Sequence, residues 1–124
     1  MNFRIDQRLP TFNEYSNIER INRYKGAKLK RDTQDEIAWW IIKARSEQQI
    51  SPISGAFEIS FYWHVARNNR SDPDNICSAK KFILDALQEQ GIIENDSQKY
   101  VQGISDHFFY KEERDFVEVE INAG

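Results

Sequence analysis

The spacing of apolar residues changes period several times along the chain, and each change marks an element. Phe3-Arg4-Ile5-Asp6 alternates and predicts a first strand, closed by Pro10. Thr11 and Asn13 are helix-capping residue types, and a helix is expected from Glu14 to about Tyr24, with an extension past Gly26 left open. Asp32 to Arg45 predicts a second helix, because Ile37, Trp40, Ile41 and Ala44 fall at i, i+3, i+4 and i+7 and make one apolar stripe. Trp39 lies off that stripe. Ser51-Pro52 and Ser54-Gly55 mark a turn. Phe57, Ile59, Phe61, Trp63 and Val65 then alternate with Glu58, Ser60, Tyr62, His64 and Ala66, which is a strand with one buried face.

A polar loop from Arg67 to Pro73 leads into an expected helix from Asn75 to Gln90, with Ile76, Ala79, Ile83, Ala86 and Leu87 inward and Gly91 as its terminator. Tyr100–Tyr110 and Phe116–Ile121 read as two last strands, paired as a hairpin through Lys111–Asp115. The order is β-α-α-β-α-β-β. It implies an α+β fold over residues 1–124, a small mixed β-sheet with helices packed on it.

Composition narrows the setting. The 124 residues fit one core, and 40% hydrophobic with 13% aromatic residues is enough to fill it. Cys77 is the single cysteine, which excludes an intramolecular disulfide and a Cys-rich zinc site and fits a reduced, cytoplasmic location. The longest apolar run, Ile37–Ile42, is too short to span a bilayer, and the opening residues do not read as a signal peptide, so no membrane is expected as a partner.

The net charge of −3 conceals an asymmetry. Residues 1–50 carry ten basic and seven acidic side chains, whereas residues 82–124 carry three and ten. The densest basic stretch is Arg20, Arg23, Lys25, Lys28, Lys30 and Arg31, with no acid among them. Such a run neutralises phosphates and releases counterions; it equally describes a solvated helix face.

The loop Arg70-Ser71-Asp72-Pro73-Asp74-Asn75 sets two carboxylates either side of a proline. Pro73 disfavours helix at Asp72, and on an extended backbone the Asp72 and Asp74 side chains point the same way. Converging carboxylates repel unless a cation lies between them, and their hard oxygens suit Mg²⁺. Asp96, in Glu94-Asn95-Asp96 beyond the next helix, offers a third acid if the chain folds back or a second subunit helps. The competing reading needs no metal: Asp74 as an N-cap, Asp72 favouring the helix's positive end, and Asp96 starting a turn.

Asp72-Pro73-Asp74-Asn75, Lys81-Phe82-Ile83-Leu84-Asp85-Ala86-Leu87 and Gly91-Ile92-Ile93-Glu94-Asn95-Asp96-Ser97-Gln98 together resemble the RusA family of Holliday-junction resolvases, endodeoxyribonucleases of phages and prophages. The resemblance covers roughly Arg70 to Gln98. It implies a RusA-like fold, a bacterial host cytoplasm, and a homodimer that nicks two strands of four-way junction DNA symmetrically. It also implies that Asp72, Asp74 and Asp96 bind catalytic Mg²⁺ and that Lys81 is the catalytic-region lysine, with Lys80 its rival. The stretch between Asn75 and Lys81 is longer than in the family pattern, and Asn95-Asp96 keeps one acid where the family often has two.

In that chemistry Mg²⁺ activates water, and Lys81 or Lys80 offsets the charge that develops on the phosphate. Asp85 is expected to pair with Lys81 at i+4, while Arg67, Arg70 and Lys80 grip phosphates beside the basic run. His64 and His107 lie too far apart in sequence to suggest a histidine catalyst. Cys77 fits a small buried hydrophobe, and no glycine-rich phosphate loop is present. Trp39, Trp40 and Trp63 are expected as core or dimer-interface rings. Two other readings stay open: a non-catalytic DNA-binding module whose acidic loop only caps a helix, and a dimeric interaction protein that binds no DNA.

Overall fold

The computed structural model describes all residues from Met1 to Gly124. Its strands are β1 (Asn2–Ile5), β2 (Phe57–Ala66), β3 (Val101–Glu112) and β4 (Phe116–Ala123). They form one mixed sheet in the order β1-β4-β2-β3. β2 lies inside the sheet, parallel to β3 and antiparallel to β4, and β1 pairs antiparallel with β4. The helices are α1 (Phe12–Ile21), α2 (Arg23–Ser46), α3 (Pro73–Cys77) and α4 (Lys80–Glu89). The fold is therefore α+β with a small mixed sheet.

β2 spans the residues its alternation marks. Phe57, Ile59, Phe61, Trp63 and Val65 are buried, and most of them join Phe3, Ile5, Val117, Val119 and Ile121 from the flanking strands in one core. Ile37 and Ile41 of α2 and Ile83 and Leu87 of α4 close that core, each fully buried side chain contributing about 1.5–3 kcal/mol. The opposite face of the sheet carries Ser60, Tyr62, His64, Glu118 and Glu120, all partly exposed.

Three expectations about the elements are corrected. The expected hairpin of the last two strands is split: β3 and β4 lie on either side of β2, and residues 113–115 cross over its end. Asp115 makes the crossing possible, since its Oδ1 accepts from the Ala66 amide (2.9 Å) and Asn69 Nδ2 (3.0 Å) at the end of β2.

The first helix ends at Ile21 rather than about Tyr24, and the second, expected from Asp32, begins at Arg23, so the break falls at Asn22. Asn22 is extended (φ −154°, ψ 106°), its amide closes α1 on the Ile18 carbonyl, and its Oδ1 accepts from the Tyr24 and Lys25 amides to open α2. Gly26 lets the two helices meet, because a Cβ there would sit 2.8 Å from Glu19 Cα. Thr11, not Asn13, caps α1, in a reciprocal capping box with Glu14.

The expected helix Asn75–Gln90 is two helices. Ser78 and Ala79 separate α3 from α4, and Lys80 and Lys81, adjacent at the start of α4, face different partners.

Candidate active site

The loop that leaves β2 is pinned by its asparagine. Asn69 Oδ1 accepts from the Ser71 amide (3.1 Å), while its amide group holds Asp115. Arg67 commits Nε to the Lys111 carbonyl (3.2 Å). Arg70 is exposed and faces the polar cleft described below.

Asp72 is extended (φ −69°, ψ 151°) and holds the N-cap position of α3, but its side chain makes no capping hydrogen bond. Pro73 starts the helix, as proline at N1 does with no lost bond. The turn is thus extended only at Asp72, and the expected i, i+2 alignment of two carboxylates on an extended backbone is not formed. Asp74 sits in the first turn, exposed, with Oδ1 accepting its neighbour Asn75's amide (3.0 Å). The capping alternative is met in part: Asp74 is not the N-cap, whereas Asp72 does stand at the helix's N-terminal end, at the N-cap position and without a capping hydrogen bond. Asn75 Oδ1 accepts the Asn13 amide (3.0 Å), tying the start of α1 to α3.

The chain after α4 does fold back. Gly91 takes a positive φ of 74°, and the buried Ile92 and Ile93 turn the following segment toward the helix. Asp96 comes to Lys81, whose Nζ lies 2.7 Å from Asp96 Oδ2 and 3.0 Å from Asp85 Oδ1. Hydrogen bonds donated to Asp96 and then to Asp85 hold the Lys81 ammonium above the usual lysine pKa. Asp85 also accepts from Gln34 Nε2 of α2 (3.3 Å). Lys80 points the other way and pairs with Asp106 of β3. Of the two rival lysines, Lys81 reaches the acid of the second loop and Lys80 reaches the sheet.

Asp96 therefore meets Lys81 and does not join Asp72 and Asp74 in one cluster. No group of three or more His, Cys, Asp or Glu side chains is placed to hold a metal ion. The donors that remain uncommitted to a cation are Asp72 and Asp74, two hard carboxylates one helical turn or less apart. Hard carboxylate oxygens are the donor type that Mg²⁺ takes together with waters and substrate phosphates, but the two side chains leave different backbone conformations and form no metal-holding group.

Two clefts adjoin this segment. A wholly polar one of about 490 Å³ is lined by Arg8, Thr11, Asn13, Arg70, Asp72 and Asn75, among others. A second, of about 210 Å³, is lined by Thr11, Phe12, Lys30, Ser78, Lys81 and a neighbouring aromatic pair, so Thr11 stands in the wall of both. Lys30 thus brings the basic run to the edge of Lys81. Arg20 lies in the last turn of α1, and Arg23, Lys25, Lys28, Lys30 and Arg31 lie in the first three turns of α2, all six exposed. Lys28 is paired with Asp32 (2.6 Å).

One contact went unread in the sequence. Asp106 joins Lys80 to Trp63, accepting from its indole Nε1 (2.9 Å). The signal is an acid at an inward position of β3, between Ile104 and Phe108, where a strand facing a helix layer calls for an apolar residue or a paired charge. Among the side chains set aside, Cys77 is partly buried, and burial pushes its thiol pKa up. His64 stacks between Phe109 and Phe116 on the open sheet face. Trp63 is buried, Trp40 donates to Gln7 (2.8 Å), and Trp39 is exposed. Compared with known proteins, the chain matches no family model and no curated protein.

Proposed function

We propose that this chain is a Mg²⁺-dependent endodeoxyribonuclease that nicks four-way junction DNA as a homodimer, in the manner of the RusA family it resembles. The observation that carries the reading is the contact of Lys81 with Asp96. It joins two of the three stretches in which the resemblance resides, the one within α4 and the one after it.

The roles follow from the surroundings of each residue. Asp72 and Asp74 would hold Mg²⁺ together with water and the DNA phosphate, while Asp96 stays beside Lys81 and orients it. Bound Mg²⁺ supplies an activated water and an electrophile for the scissile phosphate. Lys81 places its ammonium where charge develops on that phosphate. Arg70 grips the strand in the polar cleft, with Lys80 and Arg67 held behind it by Asp106 and Lys111. The exposed run from Arg20 to Arg31 neutralises phosphates of the junction arms. Two symmetric nicks need two such sites related by a two-fold axis, hence the homodimer.

No helix is long and apolar enough to cross a membrane; the resemblance to the RusA family brings to the proposal a bacterial host cytoplasm and a phage or prophage origin. A second reading is favoured by the dispersal of the three carboxylates: a DNA-binding module without catalysis. Purified protein incubated with a synthetic four-way junction and a matched linear duplex, with and without Mg²⁺, separates the two. The nuclease reading expects paired nicks in the junction, in Mg²⁺ only. Binding without nicks at any Mg²⁺ concentration would establish the second.

A further inference from the structure

The helical hairpin made by α1 and α2 is built unlike the rest of the molecule. α1 has no buried residue, and the first ten residues of α2 bury only Gly26. The hairpin is nevertheless fixed. Asn22 closes one helix and opens the next within a single residue, Gly26 lies against Glu19, and Asn13 is bonded to Asn75 at its base. The hairpin is therefore thinly packed, with residues 21–24 at its turn and its base held by Asn13 on Asn75 and by Tyr15 against Phe82.

That turn is apolar. Ile21 is 87% exposed and Tyr24 77% exposed, the two most exposed large hydrophobic side chains in the protein. Neither contributes to the core, and hydrophobicity at a hairpin tip only lowers solubility unless something covers it. The charge around it states what that is. Arg20, Arg23 and Lys25 are the immediate sequence neighbours of the two side chains and are all exposed, in a chain whose net charge is −3. The Arg23 guanidinium lies over the Tyr24 ring, 5.7 Å from its centroid. Apolar side chains beside exposed cations match a nucleic acid at a place where its bases are unstacked: the cations take the phosphates, and the ring and branched side chain take the exposed base faces. A continuous duplex offers the phosphates but not the faces.

We infer that the α1–α2 hairpin is a wedge, in which Tyr24 and Ile21 enter an opened base step of branched DNA while the neighbouring cations hold the arms. This rests on the DNA reading proposed above and adds to it the element that tells a branched substrate from a linear one. It requires neither the carboxylates nor the lysine of the candidate active site.

The test is a titration of fluorescently labelled four-way junction and linear duplex of equal length, at one fixed salt concentration, with wild-type protein, Tyr24→Ala, Ile21→Ser and Tyr24→Trp. Both truncated positions are surface positions, and circular dichroism checks that the fold is kept. Tyr24→Ala is expected to weaken junction binding about tenfold or more, the usual scale of one lost base stack, and to leave duplex binding within about twofold. Ile21→Ser should act in the same direction and less strongly. Tyr24→Trp should retain junction binding, with indole fluorescence quenched by the junction and not by the duplex.

Equal junction affinity for wild type and Tyr24→Ala overturns the wedge, even if the protein cuts DNA. Equal loss on junction and duplex also overturns it, because the tip then only adds affinity. A changed sedimentation coefficient in Tyr24→Ala without a changed DNA affinity overturns it in favour of a contact between protein chains. Failure of the nuclease reading looks different: wild type binds the junction in preference to duplex and Tyr24→Ala loses that preference, yet no strand is nicked.

Discussion

Lys81 of α4 lies with its ammonium 2.7 Å from the carboxylate of Asp96, fifteen residues further along the chain, and 3.0 Å from that of Asp85 one turn away. One cation thus serves two acids, and the loop that follows α4 is drawn back onto the helix. The pair is substantially exposed on the lysine side, so solvent screening keeps its effect on global stability small. Its consequence is local: Asp96 is held beside Lys81 rather than beside Asp72.

The first prediction concerns the titration of that lysine. Its folded pKa is raised above the ordinary value of 10.5 by hydrogen bonds to Asp96 and Asp85. The stabilisation from the pair is therefore complete below the ordinary lysine pKa and disappears as pH rises through the elevated folded value. A side-chain NMR titration of Lys81 should give a midpoint above 10.5, and Asp96→Asn should lower it, with Asp85→Asn lowering it less. A wild-type midpoint at or below the ordinary value contradicts the arrangement.

The split hairpin makes a prediction about Asp115. Its Oδ1 accepts two hydrogen bonds, one from the backbone at the end of β2 and one from Asn69. Asp115→Ala leaves both donors without a partner and should cost about 1–3 kcal/mol, read as a lower urea midpoint with an unchanged slope. If the strands instead formed a simple hairpin, residue 115 would be an ordinary turn position, and the substitution would stay within about 0.5 kcal/mol.

Gly26→Ala tests the packing of the helical hairpin. Alanine is the better helix former by about 1 kcal/mol, so helix propensity alone predicts stabilisation. The new Cβ meets backbone, however, at 2.8 Å from Glu19 Cα, and α1 has to move away. The expected result is net destabilisation together with faster limited proteolysis around Asn22. A variant more stable than wild type would show that α1 and α2 do not meet there.

How much of this was legible in the sequence depends on whether the deciding interaction was local. β2 was readable to the residue, because strict alternation with one buried face needs nothing beyond the segment itself. The joint at Asn22 was not. Residues 23–31 place cations on every side, so no apolar period marks the start of α2, and the cap that decides it is a single asparagine side chain. The strand order was equally hidden. Phe116–Ile121 announces a strand with a buried face, but whether its neighbour is β3 or β2 is a question of the whole sheet.

At the candidate site the acids, the lysine and the i+4 pair of Lys81 with Asp85 were visible as residue types at set spacings. Their convergence was misjudged at Pro73. The same proline that keeps Asp72 extended is well suited to begin a helix, and it does, which places Asp74 on a helical turn. The partner of Lys80 was missed because Asp106 is distant in sequence and its strand otherwise reads as an ordinary edge.

The central claim is that the free carboxylate of Asp72 serves catalysis rather than folding or DNA binding. It is exposed and makes no capping bond, so Asp72→Asn should leave the unfolding free energy from urea titration within about 0.5 kcal/mol of wild type. The most direct measurement is single-turnover cleavage of a labelled four-way junction in Mg²⁺ by wild type and Asp72→Asn, with junction affinity measured on the same samples. The account predicts cleavage by wild type and a loss of at least about a hundredfold in Asp72→Asn at unchanged affinity, the scale expected when a metal ligand is removed. Cleavage by Asp72→Asn at the wild-type rate, or none by wild type, would contradict it.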